Sequence, residues 1–243
     1  MNVVILDARP SVVYAAGHLE GAIHADLETQ LSARGDPAKG GRHPLPPIDR
    51  WLRQVAEWGI TPETRVIVYD DADGANAAAR VWWMLRAIGH EDVEVWSAEA
   101  APPLFDSREY ESGGVASALH AAETWLLPTV TIEQVDRLRN DPQWRVLDVR
   151  SAPRYRGETE PIDPVAGHIP GAINLPYTEN IGKSADELRA MYEELLGDVP
   201  PEQLVVHCGS GVTACHTLLA LDKAGLHGAS LYVGSWSEWC RSR

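Results

Sequence analysis

Only three cysteines occur in 243 residues, Cys208, Cys215 and Cys240. Thiols so few and so unevenly placed exclude a disulfide framework. None forms a CxxC pair, and His207 points away from Cys208 if 204–207 is a strand, so a metal site is not expected. Basic charge is also scarce: 21 Lys and Arg face 35 Asp and Glu, for a net charge of −14. That balance argues against nucleic acid or an anionic membrane as the main partner. It also obliges any anion site to supply its own positive potential. No run approaches the roughly 18 apolar residues of a membrane span. The opening MNVVILDARP lacks the basic and apolar regions of a signal peptide, so a soluble cytoplasmic protein is the expectation.

What is present is repetition. Hydrophobic residues make up 44% of the chain, enough for real cores, and the length suits two domains of about 120 residues. ILDARPSVVYAAGHLEGAIHADL at 5–27 matches VLDVRSAPRYRGETEPIDPVAGHIPGAINLPY at 146–177. Both hold Asp-x-Arg after a short apolar run (Asp7 and Arg9; Asp148 and Arg150), then a tyrosine (Tyr14; Tyr155), then Gly-His-x-x-Gly-Ala-Ile. Farther along, VIVYDDADGA at 66 and LVVHCGSGVTAC at 204 each join a β-branched run to a turn. Helical patterns follow, closed by Gly89 and Gly225, the usual place for a left-handed C-cap. Strands are then expected at 93–96 and 230–233. Strand, turn, helix and strand recurring in each copy predict an α/β protein whose two domains are mainly parallel sheets flanked by helices. The expected division is 1–115, a linker at 116–128, and 129–243. Within it, 97–106 reads as irregular, and 107–128 lacks clear periodicity.

The copies differ where chemistry would sit. Cys208 follows a strand and precedes Gly209, Ser210 and Gly211, which open a helix. Glycines let successive N–H groups converge, and the helix start adds partial positive charge. A thiol in that cradle is expected to ionise more readily than a free one. Cys215 falls in an apolar helical stripe and reads as core; Cys240 lies in a tail that reads as exposed. The first copy has Asp70 where the second has Cys208, and Val13 where the second has Arg154.

CGSGVTA at 208–214, DVRSAPRYRG at 148–157 and GHIPGA at 167–172, with GHLEGA at 17–22, together resemble the rhodanese family of sulfurtransferases in its two-domain form. The resemblance covers nearly the whole chain. It implies two tandem rhodanese-like domains, the first noncatalytic and the second catalytic, with Cys208 cycling through a persulfide. It implies Arg154 as the donor-binding arginine, with Gly209, Gly211, Val212 and Thr213 forming the substrate loop and Asp148 in support. A guanidinium fork suits a carboxylate or thiosulfonate and provides the cation an acidic chain needs. Arg150 and Arg156 read as structural pairs. No metal or organic cofactor is implied.

The loop CGSGVTA looks like that of 3-mercaptopyruvate sulfurtransferases, a group associated with a Ser–His–acid relay. Candidates for that relay are Ser210, His43 and Glu28, the acid more usually being Asp. Members that use mercaptopyruvate also usually carry a second substrate arginine soon after the first, and 158–166 contains none. Thiosulfate therefore stands as the alternative donor. Acceptors implied are a thiol, a thioredoxin-like protein or cyanide. A cysteine phosphatase would need arginine where Ala214 stands. A sulfur-carrying module without turnover is the third reading.

Overall fold

The computed structural model describes residues 2–97 and 122–243. The readings of 97–106 and 107–128 therefore fall largely outside the described residues. Two compact units are present, Met1–Ala33 with Leu45–Leu126 and Arg34–Pro44 with Leu127–Arg243. Residues 34–44, which the sequence repeat assigns to the first copy, belong to the second unit.

The first unit contains β1 (Val3–Asp7), α1 (Ser11–Ala16), β2 (Ile23–His24), α2 (Ile48–Glu57), β3 (Arg65–Tyr69), α3 (Ala77–Arg86) and β4 (Val93–Trp96). All strand pairs are parallel, in the order β2-β1-β3-β4. β1 and β3 bury almost every position, as continuous apolar runs do in a sheet covered on both faces. α2 is amphipathic, burying Trp51 and Val55, and Trp51 Nε1 donates to the Met84 carbonyl at 3.2 Å. α3 is buried from Ala77 to Leu85, so it has no solvent face.

The second unit repeats the plan with α4 (Ile132–Leu138), β5 (Arg145–Asp148), α5 (Ala152–Tyr155), β6 (Ile173–Asn174), α6 (Ala185–Leu196), β7 (Leu204–His207), α7 (Ala214–Lys223), β8 (Ser230–Leu231) and α8 (Ser235–Ser242). The parallel order is β6-β5-β7-β8. Capping boxes start α4 (Thr131 with Gln134) and α6 (Ser184 with Glu187), each satisfying two otherwise orphaned amides. Gly89 and Gly225 take φ of +81° and +71° just beyond α3 and α7, as their place in the sequence predicts.

Two expectations change. The strand expected at 230–233 is only two residues long, although the Tyr232 amide still donates to the Val206 carbonyl at 3.0 Å. Beyond it the chain turns at Ser235, whose φ is +55°, into α8. The segment read as an exposed tail is this helix. It buries Trp236 and Trp239 against Val135, Val146, Ile169 and Val205. Cys240 packs beside them, and burial pushes its thiol pKa up. Polar residues alternate with the tryptophans, so no apolar run announces the burial. No helix among the described residues is long and apolar enough to cross a membrane.

α7 also buries His216, edge-on to Tyr177, and burial, with Lys223 adding to it, pushes its pKa down to about 4. The unfolded chain then binds a proton that the folded one refuses. Stability attached to this residue is complete above pH of about 6.5 and declines as pH falls toward 4, by a total of about 3 kcal/mol. Chemical denaturation of the protein and of His216→Gln at pH 7 and pH 4 checks this. The difference between the two proteins is expected to move by that amount in favour of the variant at pH 4. A constant difference would show that His216 does not titrate in this way.

Candidate active site

The register of the second sheet pairs Asp148 with His207, so Cys208 is the first residue past the carboxyl end of β7. Ligands in open α/β sheets bind at this edge. The loop then turns through Gly209, Ser210, Gly211, the buried Val212 and the half-buried Thr213 into α7. The Gly211 amide donates to Cys208 Sγ at 3.1 Å, a contact that stabilises negative charge on sulfur. Gly211 has φ +75°, and a Cβ there would lie 2.5 Å from the Val233 carbonyl oxygen, so backbone and space both demand glycine. Cys208 is only 2% exposed, yet polar groups surround its backbone.

The start of α8 holds this loop. The amides of Trp236 and Ser237 donate to the carbonyls of Cys208 (3.0 Å) and Gly209 (2.9 Å). Since N–H and C=O of a trans peptide oppose each other, the amides of Gly209 and Ser210 are directed away from α8. The Cys208 amide itself goes to Ser235 Oγ at 3.2 Å.

Arg154 lies in α5, its Nη2 donating to Glu160 Oε1 at 2.7 Å. Its two Nη atoms also reach within 3.3 and 3.5 Å of where a Gly209 Cβ would be. Behind it, Arg150 clasps the fully buried Asp148 (Nη2 to Oδ2, 2.6 Å) and donates to Glu160 at 3.2 Å and to the Gly167 carbonyl at 2.7 Å. Arg156 pairs with Glu158 at 2.6 Å on the surface. His207 is buried beside Asp148, its Nε2 3.9 Å from Oδ2, and burial holds its pKa below the ordinary value.

The 34–44 excursion completes the group. α8 fixes it through Glu238 (accepting from the Gly40 amide, 2.8 Å), Ser237 Oγ (accepting from the Arg42 amide, 3.1 Å) and Ser242 Oγ (donating to the Ala38 carbonyl, 2.9 Å). Gly41 runs against the Gly234 carbonyl with no room for a side chain. His43 Nδ1 thereby lies 2.9 Å from Ser210 Oγ, joining two of the expected relay residues. Arg42 ion-pairs with Asp163, and its Nη2 lies 3.2 Å from the Gly209 Cβ position. Glu28, the expected relay acid, stands in an exposed turn at 27–30 of the first unit.

The equivalent loop of the first unit holds no thiol. Asp7 pairs with Tyr69 in register, which makes Asp70 the counterpart of Cys208. The Asp70 carboxylate accepts from the amides of Ala72 (2.8 Å), Gly74 (2.9 Å), Asn76 (3.0 Å) and Ala78 (3.0 Å). A fixed side-chain anion thus fills an amide cradle at the start of α3. The framework behind it survives: Arg9 clasps Asp7 through Nε at 2.9 Å and Nη2 at 2.5 Å, and Tyr69 donates to Asp7 at 2.7 Å. Burial raises the Asp7 pKa, but these hydrogen bonds outweigh it and hold the carboxyl below its usual range.

Sequence reasoning missed Arg42 and the α8 residues Ser235, Ser237 and Glu238. The signal for Arg42 was indirect: an acidic chain needs local cations, and Arg42 immediately precedes His43.

The family model described as the rhodanese-like domain matches residues 1–98 and again 131–242. A probable 3-mercaptopyruvate sulfurtransferase of Pseudomonas aeruginosa is 38% identical, over 98% of this chain and 89% of that one. A putative thiosulfate sulfurtransferase of Mycobacterium tuberculosis is 35% identical, over 93% of this chain and 81% of its own length. Among solved structures, 3-mercaptopyruvate sulfurtransferase from Leishmania major superposes with a TM-score of 0.75 at 30% identity, covering 98% of this chain and 70% of that one.

Proposed function

The chain belongs to the rhodanese-like domain family and is a sulfurtransferase, and from that premise we propose that its donor is 3-mercaptopyruvate and its sulfur carrier Cys208. The Cys208 thiolate attacks the donor sulfur while Arg154 holds the carboxylate. The thiolate pair forms the new S–S bond, and the C–S pair passes to carbon as the enolate of pyruvate. Ser210, backed by His43, delivers the proton that turns the enolate into pyruvate. The persulfide rests in the cradle of Gly209, Gly211, Val212 and Thr213, with Asp148 ordering the arginine behind it. A thiol, a thioredoxin-like protein or cyanide then takes the outer sulfur, and the S–S pair returns to Cys208.

The contact between His43 and Ser210 carries the choice of donor. Breaking a carbon–sulfur bond leaves an enolate that needs a proton, whereas thiosulfate releases sulfite, which needs none. In this reading 129–243 is the catalytic domain, 1–115 its noncatalytic partner joined through 116–128, and 34–44 a contribution from the first copy to the active site. We place the reaction in the cytoplasm, where all three thiols stay reduced.

Steady-state kinetics with both donors test the proposal. The expected kcat/KM for 3-mercaptopyruvate exceeds that for thiosulfate by at least about tenfold. A preference for thiosulfate, the donor in the name of the mycobacterial relative, would overturn it. Loading of a single sulfur without turnover to any small thiol would instead identify a sulfur-carrying module.

A further inference from the structure

We propose that Arg42 is a donor-binding residue: with Arg154, it grips the carboxylate end of the donor. It thereby supplies from the 34–44 excursion the second guanidinium that 158–166 lacks. This rests on the 3-mercaptopyruvate reading above and adds a residue to it.

Three observations carry the inference. Arg42 and Arg154 approach the same point over the cysteine loop, the position a Gly209 Cβ would take, at 3.2 and 3.3 Å respectively. Two forks converging on one place beside the nucleophile form a site for an anion with several acceptor oxygens, and an α-keto carboxylate has three. Next, each guanidinium is anchored from behind by a buried carboxylate while keeping atoms on the loop side. Arg154 is held by Glu160, whose side chain is 3% exposed, and Arg42 by Asp163, which is fully buried. Asp163 also takes Arg241 at 2.8 Å, and its other oxygen, Oδ2, makes no hydrogen bond among the described residues and lies 3.8 Å from Arg154 Nη2. Asp163 therefore spaces the two arginines as well as anchoring one. Finally, the Arg42 backbone is positioned independently of its side chain, through its amide to Ser237 Oγ. An arginine serving only to strap the excursion down would duplicate bonds already made at Ala38, Gly40 and the Arg42 amide.

The test compares two donors in the full-length protein. Mercaptoacetone keeps the thiol and ketone of 3-mercaptopyruvate and carries a methyl group in place of the carboxylate. In Arg42→Ala the ratio of kcat/KM for 3-mercaptopyruvate to that for mercaptoacetone is expected to fall about 10- to 100-fold, mainly through KM, as loss of a charged hydrogen-bond pair implies. The inhibition constant of pyruvate, which has the same carboxylate, should rise in parallel. Arg42→Lys should fall between, because an ammonium keeps the charge and loses the fork. If Arg42→Ala does not fold, Arg42→Lys and Arg42→Gln provide the same comparison. An unchanged ratio, or an equal fall with both donors, means that Arg42 is a strap and overturns its role while leaving the donor assignment intact. A wild-type enzyme that prefers thiosulfate overturns both, and that result is visible before any variant is made.

Discussion

Cys208→Ser is expected to abolish sulfur transfer from every donor, with kcat/KM down roughly 10⁴-fold or more, as for removal of other enzymatic nucleophiles. The serine would keep the place of the thiol, at the end of β7 with the Gly211 amide aimed at it. A hydroxyl in that cradle stays protonated and forms no stable bond to a second sulfur, so neither attack nor carriage is possible. Intact mass after exposure to donor alone gives the sharpest readout. Wild-type protein should gain one sulfur atom and the variant none. Cys215→Ala and Cys240→Ala should both retain the gain, since Cys215 is sealed in α7 and Cys240 packs against the core of the second unit. A Cys208→Ser protein with full turnover would remove the basis of the persulfide cycle.

Ser210→Ala and His43→Ala are expected to separate the donors. General acid catalysis contributes about 10²- to 10⁴-fold where a proton must move in the transition state. Transfer from 3-mercaptopyruvate should therefore lose about 10²-fold or more in kcat, while transfer from thiosulfate changes by less than about fivefold, there being no proton to deliver. The two residues touch at 2.9 Å and should act as one unit, so the double variant should cost little more than either single one. Solvent deuterium provides an independent check: an isotope effect on kcat with 3-mercaptopyruvate should vanish in both variants. Equal losses with both donors would mean that Ser210 and His43 shape the loop without moving a proton.

The first unit keeps the same fold around a loop that holds no thiol. The cradle at the end of β3 is filled by its own carboxylate, with four amides turned onto Asp70. An aspartate there is an anion already in place, so no outside anion is needed to satisfy the loop. The Asp7–Arg9 clasp behind it matches Asp148–Arg150, because that pair ties the strand end to the Gly-His segment in both units, through the carbonyls of Gly17 and Gly167.

Local pattern carried most of this in the sequence. Apolar runs long enough for parallel strands, glycines beyond helix ends, and a thiol set between a strand and a glycine turn are all relations among near neighbours. They specify two parallel sheets, two loops at equivalent strand ends, and Cys208 in the second loop. The resemblance pairs His43 with Ser210, but tertiary structure decided how the distant residues meet that loop. His43 reaches Ser210 across 167 residues of sequence, Arg42 reaches Ser237 across 195, and Gly40 reaches Glu238 across 198. No periodicity or spacing encodes a contact of that span. It exists because α8, polar in appearance but anchored by two buried tryptophans, presents one set of groups to the cysteine loop and another to the 34–44 excursion.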